Sequence, residues 1–196
     1  MAIILHLRGR PALSAFRLHR LQQQLSVSGP VELTAEYWHF VEVQRALSAD
    51  ERDRLDRLLT YGPQGDADRP GGRMLLAVPR SGTISPWSSK ATDIARNCGL
   101  DMVTRIERGT AFYLSGSPAD DTRVLPLLHD RMTEVVLDSV AAADALFDHV
   151  APRPLATLPL LAHGRGALAG ANTDMGLALS DDEIDYLAEN FQRLGR

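Results

Sequence analysis

From Val31 to Val43 the odd positions read Val31, Leu33, Ala35, Tyr37, His39, Val41 and Val43, while glutamates and Thr34 hold many of the even ones. A period of two over that length commits the chain to a long strand with one apolar face, and therefore to a sheet that something must cover. The cover is legible on either side. Ala2 to Leu7 reads as a strand, and Gly9 followed by Pro11 as the start of a helix whose apolar side includes Leu18, Leu21 and Leu25. Ser48 with Glu51 three residues on is a capping box, and Leu55, Leu58 and Leu59 give the helix behind it a buried side.

Gly62 to Gly72 is rich in glycine, proline and small polar residues and reads as a loop, before Arg73 to Pro79 resumes as a strand. Asp101 to Leu114 reads as a strand or a hairpin interrupted near Gly109. Asp121 to His129 is a short helix, Met132 to Leu137 a short strand and Ser139 to Val150 an Ala/Leu-rich helix. Met1 to Pro79 and Ser88 to Leu137 share a rhythm of alternating strands and helices. The expectation is an internally duplicated α+β domain over residues 1–150, with helices on one face of a mainly antiparallel sheet. Past Val150 come Pro152, Pro154 and Pro159, then Gly164, Gly166 and Gly170, then a capping box at Ser180 and Glu183. Ile184, Leu187, Ala188 and Phe191 follow at helical spacing, so residues 151–196 predict an extended linker and one amphipathic helix, the opening of a further domain.

Composition narrows the function. A 196-residue chain with 44% hydrophobic residues can bury a core. Its net charge of −4 and scattered basic residues give no footprint for a nucleic-acid backbone. The lone cysteine, Cys98, excludes an internal disulfide and fits a reducing, cytoplasmic setting. No apolar run approaches the length of a membrane span, and Met1 to Leu7 is too short for a signal peptide. The six histidines show no metal-ligand spacing. Asp120, Asp121, Asp181 and Asp182 lie at helix starts, where exposed N–H groups stabilise carboxylates.

The densest polar segment runs from Thr83 to Leu100. Ser85 before Pro86 suits a helix entry, with Ser88 as a competing cap, and such an end favours an anion. Trp87, Ala91, Ile94 and Cys98 fall on one side of the helix as a core-facing stripe. Lys90, Asp93 and Asn97 fall opposite, with Arg96 flanking them, and Gly99 stops the helix. Ser85, Ser88 and Ser89, with the exposed N–H groups, could hold a phosphate or carboxylate whose charge Lys90 or Arg96 balances. The same pattern also describes an ordinary capped helix with charges facing water. Cys98, at the helix C-terminus on the apolar stripe, gains no help toward a reactive thiolate. His129-Asp130-Arg131 joins a helix to a strand and offers a contact for an anion or a partner, or a plain cap.

Pro79-Arg80-Ser81-Gly82-Thr83-Ile84-Ser85-Pro86-Trp87-Ser88-Ser89-Lys90-Ala91-Thr92-Asp93-Ile94-Ala95-Arg96-Asn97-Cys98-Gly99 resembles a signature in the N-terminal region of the large single-chain phosphoribosylformylglycinamidine synthases. Leu128 to Glu134 and Gly176 to Leu187 resemble two further stretches in the same order. The resemblance implies a PurS-like N-terminal domain and the start of a linker domain, in an ATP-dependent glutamine amidotransferase of purine biosynthesis. By that resemblance ATP, magnesium, the glutaminase cysteine and a His/Cys-rich catalytic motif belong to parts beyond Arg196, so no catalytic or cofactor residue is expected here. The expected partners are the synthetase and glutaminase domains of the same polypeptide, with a possible contact to formylglycinamide ribonucleotide. Thr83, Ser85, Ser88, Ser89, Lys90, Asp93, Arg96, Asn97, His129 and Arg131 then mark the surface facing that cavity or the neighbouring domains. A stand-alone small-anion or nucleotide-binding module is the alternative.

Overall fold

The alternation from Val31 to Val43 becomes β2, a strand over Val31–Val43, and the rest of the fold is arranged around it. The computed structural model describes residues 3–26, 29–63, 71–116, 121–148 and 154–195. Most of Gly62 to Gly72 and Asp120 lie outside them. The chain divides into two compact units, Met1–Val150 and Ala151–Arg196.

In the first unit β1 (Ile3–Pro11), α1 (Ala15–Leu25), β2 and α2 (Ala49–Leu58) are followed by β3 (Arg73–Pro79), α3 (Pro86–Asn97), β4 (Val103–Gly116) and α4 (Asp121–Leu128). A short β5 (Glu134–Leu137) and a 3-10 helix (Ala141–Phe147) complete it. Among the described residues five strands form one antiparallel sheet in the order β1-β2-β4-β3-β5. The course strand, helix, strand, helix therefore occurs twice, and the second strand of each repeat lies at the centre. This is the α+β duplication that the rhythm predicts.

The odd residues of β2 pair with the even residues of β4, Leu33 with Leu114, Tyr37 with Thr110 and Val41 with Ile106, so both sets share one face. At one end of that face Leu25 of α1 with Val124 and Leu128 of α4 covers Val31, Leu33, Phe112 and Leu114. At the other, Leu55 and Leu59 at α2 and Ala95 of α3 cover Val41, Val43, Val103 and Ile106. The opposite face packs Phe40, Leu76, Val78 and Ala111 against Ala143, Leu146 and Phe147 of the 3-10 helix. His6 of β1 reaches Asp144 of that helix at 2.6 Å. Glu36, on the same face, is buried yet satisfied: it accepts from Arg8 Nε at 2.7 Å, Trp38 Nε1 at 3.0 Å and the Tyr113 hydroxyl at 2.9 Å.

Four expectations need correction. Pro11 ends β1 instead of opening a helix, and the cap of α1 is Ser14, whose hydroxyl accepts from Arg17 N. β4 runs unbroken through Gly109, where a Cβ would lie 2.8 Å from Val78 Cγ1 and 3.0 Å from the Ala77 carbonyl oxygen; the glycine permits close approach of β3 and marks no turn. Ala141 to Phe147 is a 3-10 helix, whose three-residue repeat brings Ala143 and Leu146 onto the sheet together. The expected linker contains a helix of its own.

That helix, α5 (Leu160–Met175), is interrupted at Gly164, whose φ of 59° and ψ of −152° break the helical path. With α6 (Asp181–Leu194) it forms a helical pair around Leu160, Leu168 and Ile184. The turn between them is closed by Asn172, whose side chain donates to Leu179 O at 3.0 Å and accepts from Leu179 N at 2.8 Å. Arg165 of α5 pairs with Asp181 at 2.8 Å and with Asp185. The amphipathic α6 thus has a partner helix, and both predicted capping boxes, at Ser48 and at Ser180, are formed.

Candidate functional site

The anion favoured by the start of α3 is present, and the chain supplies it. Ser85 caps the helix by accepting from Ser88 N at 3.0 Å, with Pro86 in the first turn where no donor is needed. The same hydroxyl donates to Glu107 Oε2 at 3.0 Å. Glu107 is fully buried, and Arg105 meets its other oxygen through Nε at 3.1 Å and Nη2 at 2.7 Å. Arg105 also donates to Leu146 O at 2.8 Å and Thr83 O at 2.7 Å, and its guanidinium lies 5.3 Å from the Phe147 ring centroid. One buried ion pair therefore fixes the turn before α3, the strand β4 and the 3-10 helix together.

The expected core stripe of α3 is rotated by one position. Ser88, Thr92 and Ala95 are buried, whereas Ile94 is 47% exposed. Small side chains let the helix approach β4 so closely that Thr92 Oγ1 accepts from Ile106 N at 3.0 Å. Ser88 is not a cap: its hydroxyl is enclosed with no hydrogen-bond partner. Arg96 donates to Val103 O at 3.4 Å and Thr104 O at 3.0 Å, which ties it to strand carbonyls instead of leaving it to balance a ligand's charge. Thr83, Ser89, Lys90, Asp93 and Asn97 are exposed. His129 contacts Leu125 O through Nδ1 at 2.7 Å, and Arg131 is exposed. Their turn abuts the Thr83 turn, because Pro79 pairs with Glu134 and Arg80 N donates to Thr133 O at 3.1 Å. Two separated stretches of sequence thus become one border of the molecule.

Between the two helix pairs the sheet presents an aromatic cluster that the sequence reading did not single out. The Arg108 guanidinium lies over the rings of Tyr37 and Trp87, 4.4 and 4.6 Å from their centroids, and donates to the Tyr61 hydroxyl at 3.3 Å. Tyr61 stands 2.6 Å from His39 Nε2. His39, 1% exposed, is held neutral, its pKa lowered from 6.5 to about 4 by burial and then by the Arg108 charge. The visible signal was an inward-facing His39 in the apolar register of β2.

Residues 36–147, more than half of the chain, match the family described as formylglycinamide ribonucleotide amidotransferase N-terminal. The chain belongs to that family. The matched region of this amidotransferase domain runs from β2 through the 3-10 helix and contains α2, α3, the Glu107–Arg105 pair and the Arg108 cluster. It is the N-terminal part of formylglycinamidine ribonucleotide synthase, an enzyme of purine biosynthesis. Two clefts flank the cluster in the domain. One, of about 420 Å³, is lined by His6, Arg10, His39, Arg52 and Asp56 among others. The second, of about 340 Å³, lies between α2 and α3. Among the described residues no group of three or more His, Cys, Asp or Glu is placed to hold a metal ion. No described helix is long and apolar enough to cross a membrane.

Proposed function

We propose that this chain serves the amidotransferase as a non-catalytic domain that docks on the synthetase part, helps close the cavity for formylglycinamide ribonucleotide and supports ammonia transfer. ATP and magnesium would be handled by the synthetase part and glutamine by the glutaminase, in the cytoplasm. The observation that carries this reading is the shared border of the two turns. Thr83, Ser89, Lys90, Asp93 and Asn97 stand outward on or beside α3, and the turn that carries His129 and Arg131 adjoins the Thr83 turn that leads into it. Beneath that border the Glu107–Arg105 pair holds the backbone in place without using any of these exposed side chains. Such a polar surface on a rigid base suits an interface between domains, which is more polar than a core.

A separate small-anion module built on Lys90 and Arg96 is disfavoured, because Arg96 is engaged with β4 carbonyls and Glu107 fills the helix start. The deciding experiment measures glutamine-dependent formylglycinamidine ribonucleotide formation by an enzyme lacking the first unit, with and without this chain added in trans. Neither piece should turn over alone, and mixing should restore activity. Full activity of the shortened enzyme by itself would sink the proposal.

A further inference from the structure

Strand β4 carries an arginine on each face, and the two have different surroundings. Arg105 has a buried carboxylate, Glu107, and two backbone carbonyls. Arg108 faces the helices and has no carboxylate within ion-pair distance among the described residues. Its cross-strand neighbour is the neutral His39. Of the acids of the adjacent α2, Asp56 pairs with Arg52 at 3.2 Å and Asp53 with Arg57 at 2.7 Å on the helix itself, and Glu51 pairs with Arg45 at 2.7 Å. The Tyr37 and Trp87 rings lie 4.4 and 4.6 Å from the guanidinium carbon, while Tyr61 takes one donor. No nitrogen of Arg108 is enclosed without a partner, so its unused donors reach solvent, and the residue lines the cleft between α2 and α3.

That cleft has the dimensions and lining of a small-ligand site. Its volume of about 340 Å³ is within the range that holds compact organic molecules. Leu58, Tyr61, Trp87, Ala91 and Ile94 supply apolar walls, and Lys90 and Arg108 supply two cations with no carboxylate among the lining residues. A half-buried guanidinium packed against two rings, with no counter-ion among the described residues, is already placed for a carboxylate, which it meets through two parallel N–H donors. We propose that the α2–α3 cleft binds a small organic carboxylate, its flat apolar body against Leu58, Ile94 and the Tyr61 and Trp87 rings and its charge on Arg108 and Lys90. This site is separate from the start of α3, where Glu107 already stands, and does not rest on the docking role.

The test uses the intact chain and two probes of nearly equal shape, 2-naphthoate and its neutral amide, 2-naphthamide, titrated calorimetrically at neutral pH. Naphthoate should bind at least about tenfold more tightly than the amide. Arg108→Gln should abolish that preference, and Lys90→Gln, at the exposed rim, should weaken naphthoate several-fold without affecting the amide. Near-ultraviolet circular dichroism confirms that each variant is folded, and should Arg108→Gln fail to fold, the Lys90→Gln result decides. Equal affinities for the two probes, binding of neither, or a preference unchanged by Lys90→Gln would overturn the proposal.

Discussion

The two ends of the helix-covered face have the same topology and opposite finishes. Where α1 meets α4, Leu18, Leu21, Leu25, Val124 and Leu128 close over Leu33, Phe112 and Leu114 as an apolar seam. Where α2 meets α3, the core beneath is equally apolar, but α3 sinks onto β4 through Ser88, Thr92 and Ala95. Trp87 is thereby brought onto Arg108, and the space beside it stays open as a cleft. A repeated supersecondary unit fixes where helices lie; the size of the side chains at the contact decides whether the seam fills or gapes.

The comparison breaks first at the core. Leu25→Ala and Leu55→Ala remove side chains that are 1% and 0% exposed, and each should cost about 2–5 kcal/mol in urea unfolding. If Leu55→Ala cost far less, the cleft end would be a loosely packed margin and not the equal of its counterpart.

Acid should act on the open end. The unfolded chain protonates His39 near 6.5 and the folded chain near 4, so its contribution is whole above pH 6.5 and is lost as pH falls toward 4. The loss amounts to about 3 kcal/mol at the acid limit. His39→Phe should flatten that part of the pH profile, measured as the difference in urea midpoint between pH 7 and pH 4.5. A profile parallel to that of the unaltered chain would show that His39 is not held neutral.

The caps give a smaller contrast. Ser14 accepts one long bond at 3.4 Å on an exposed turn, whereas Ser85 joins its helix to buried Glu107. Ser85→Ala should therefore cost about 2 kcal/mol and Ser14→Ala about 0.5 kcal/mol in thermal unfolding. At the small end, Asp93→Ala on the exposed face of α3 should leave stability within about 0.5 kcal/mol. It should nonetheless weaken complementation of the shortened enzyme if that face docks.

Much of the architecture was legible because it depends on neighbours in sequence. The period of β2, the capping boxes at Ser48 and Ser180 and the entry of α3 at Ser85-Pro86 are written in residues three or fewer positions apart. Two of the misreadings share a cause. Gly109 looks like a turn until Val78 is seen to need its space, and Gly164, Gly166 and Gly170 obscured α5, which only Gly164 interrupts. Glycine marks both a bend and a close approach, and the chain alone does not say which.

By itself the sequence determined the strands, most helices, their alternation and, through residues 36–147, the family. Only the tertiary structure decided that Glu107 would fill the start of α3 while Arg108, one position on and on the other face of the same strand, would be left facing a cleft. Alternation along a strand is local and so readable, but what each face meets is set by elements distant in the chain. A charge is matched or left unmatched only after those elements pack.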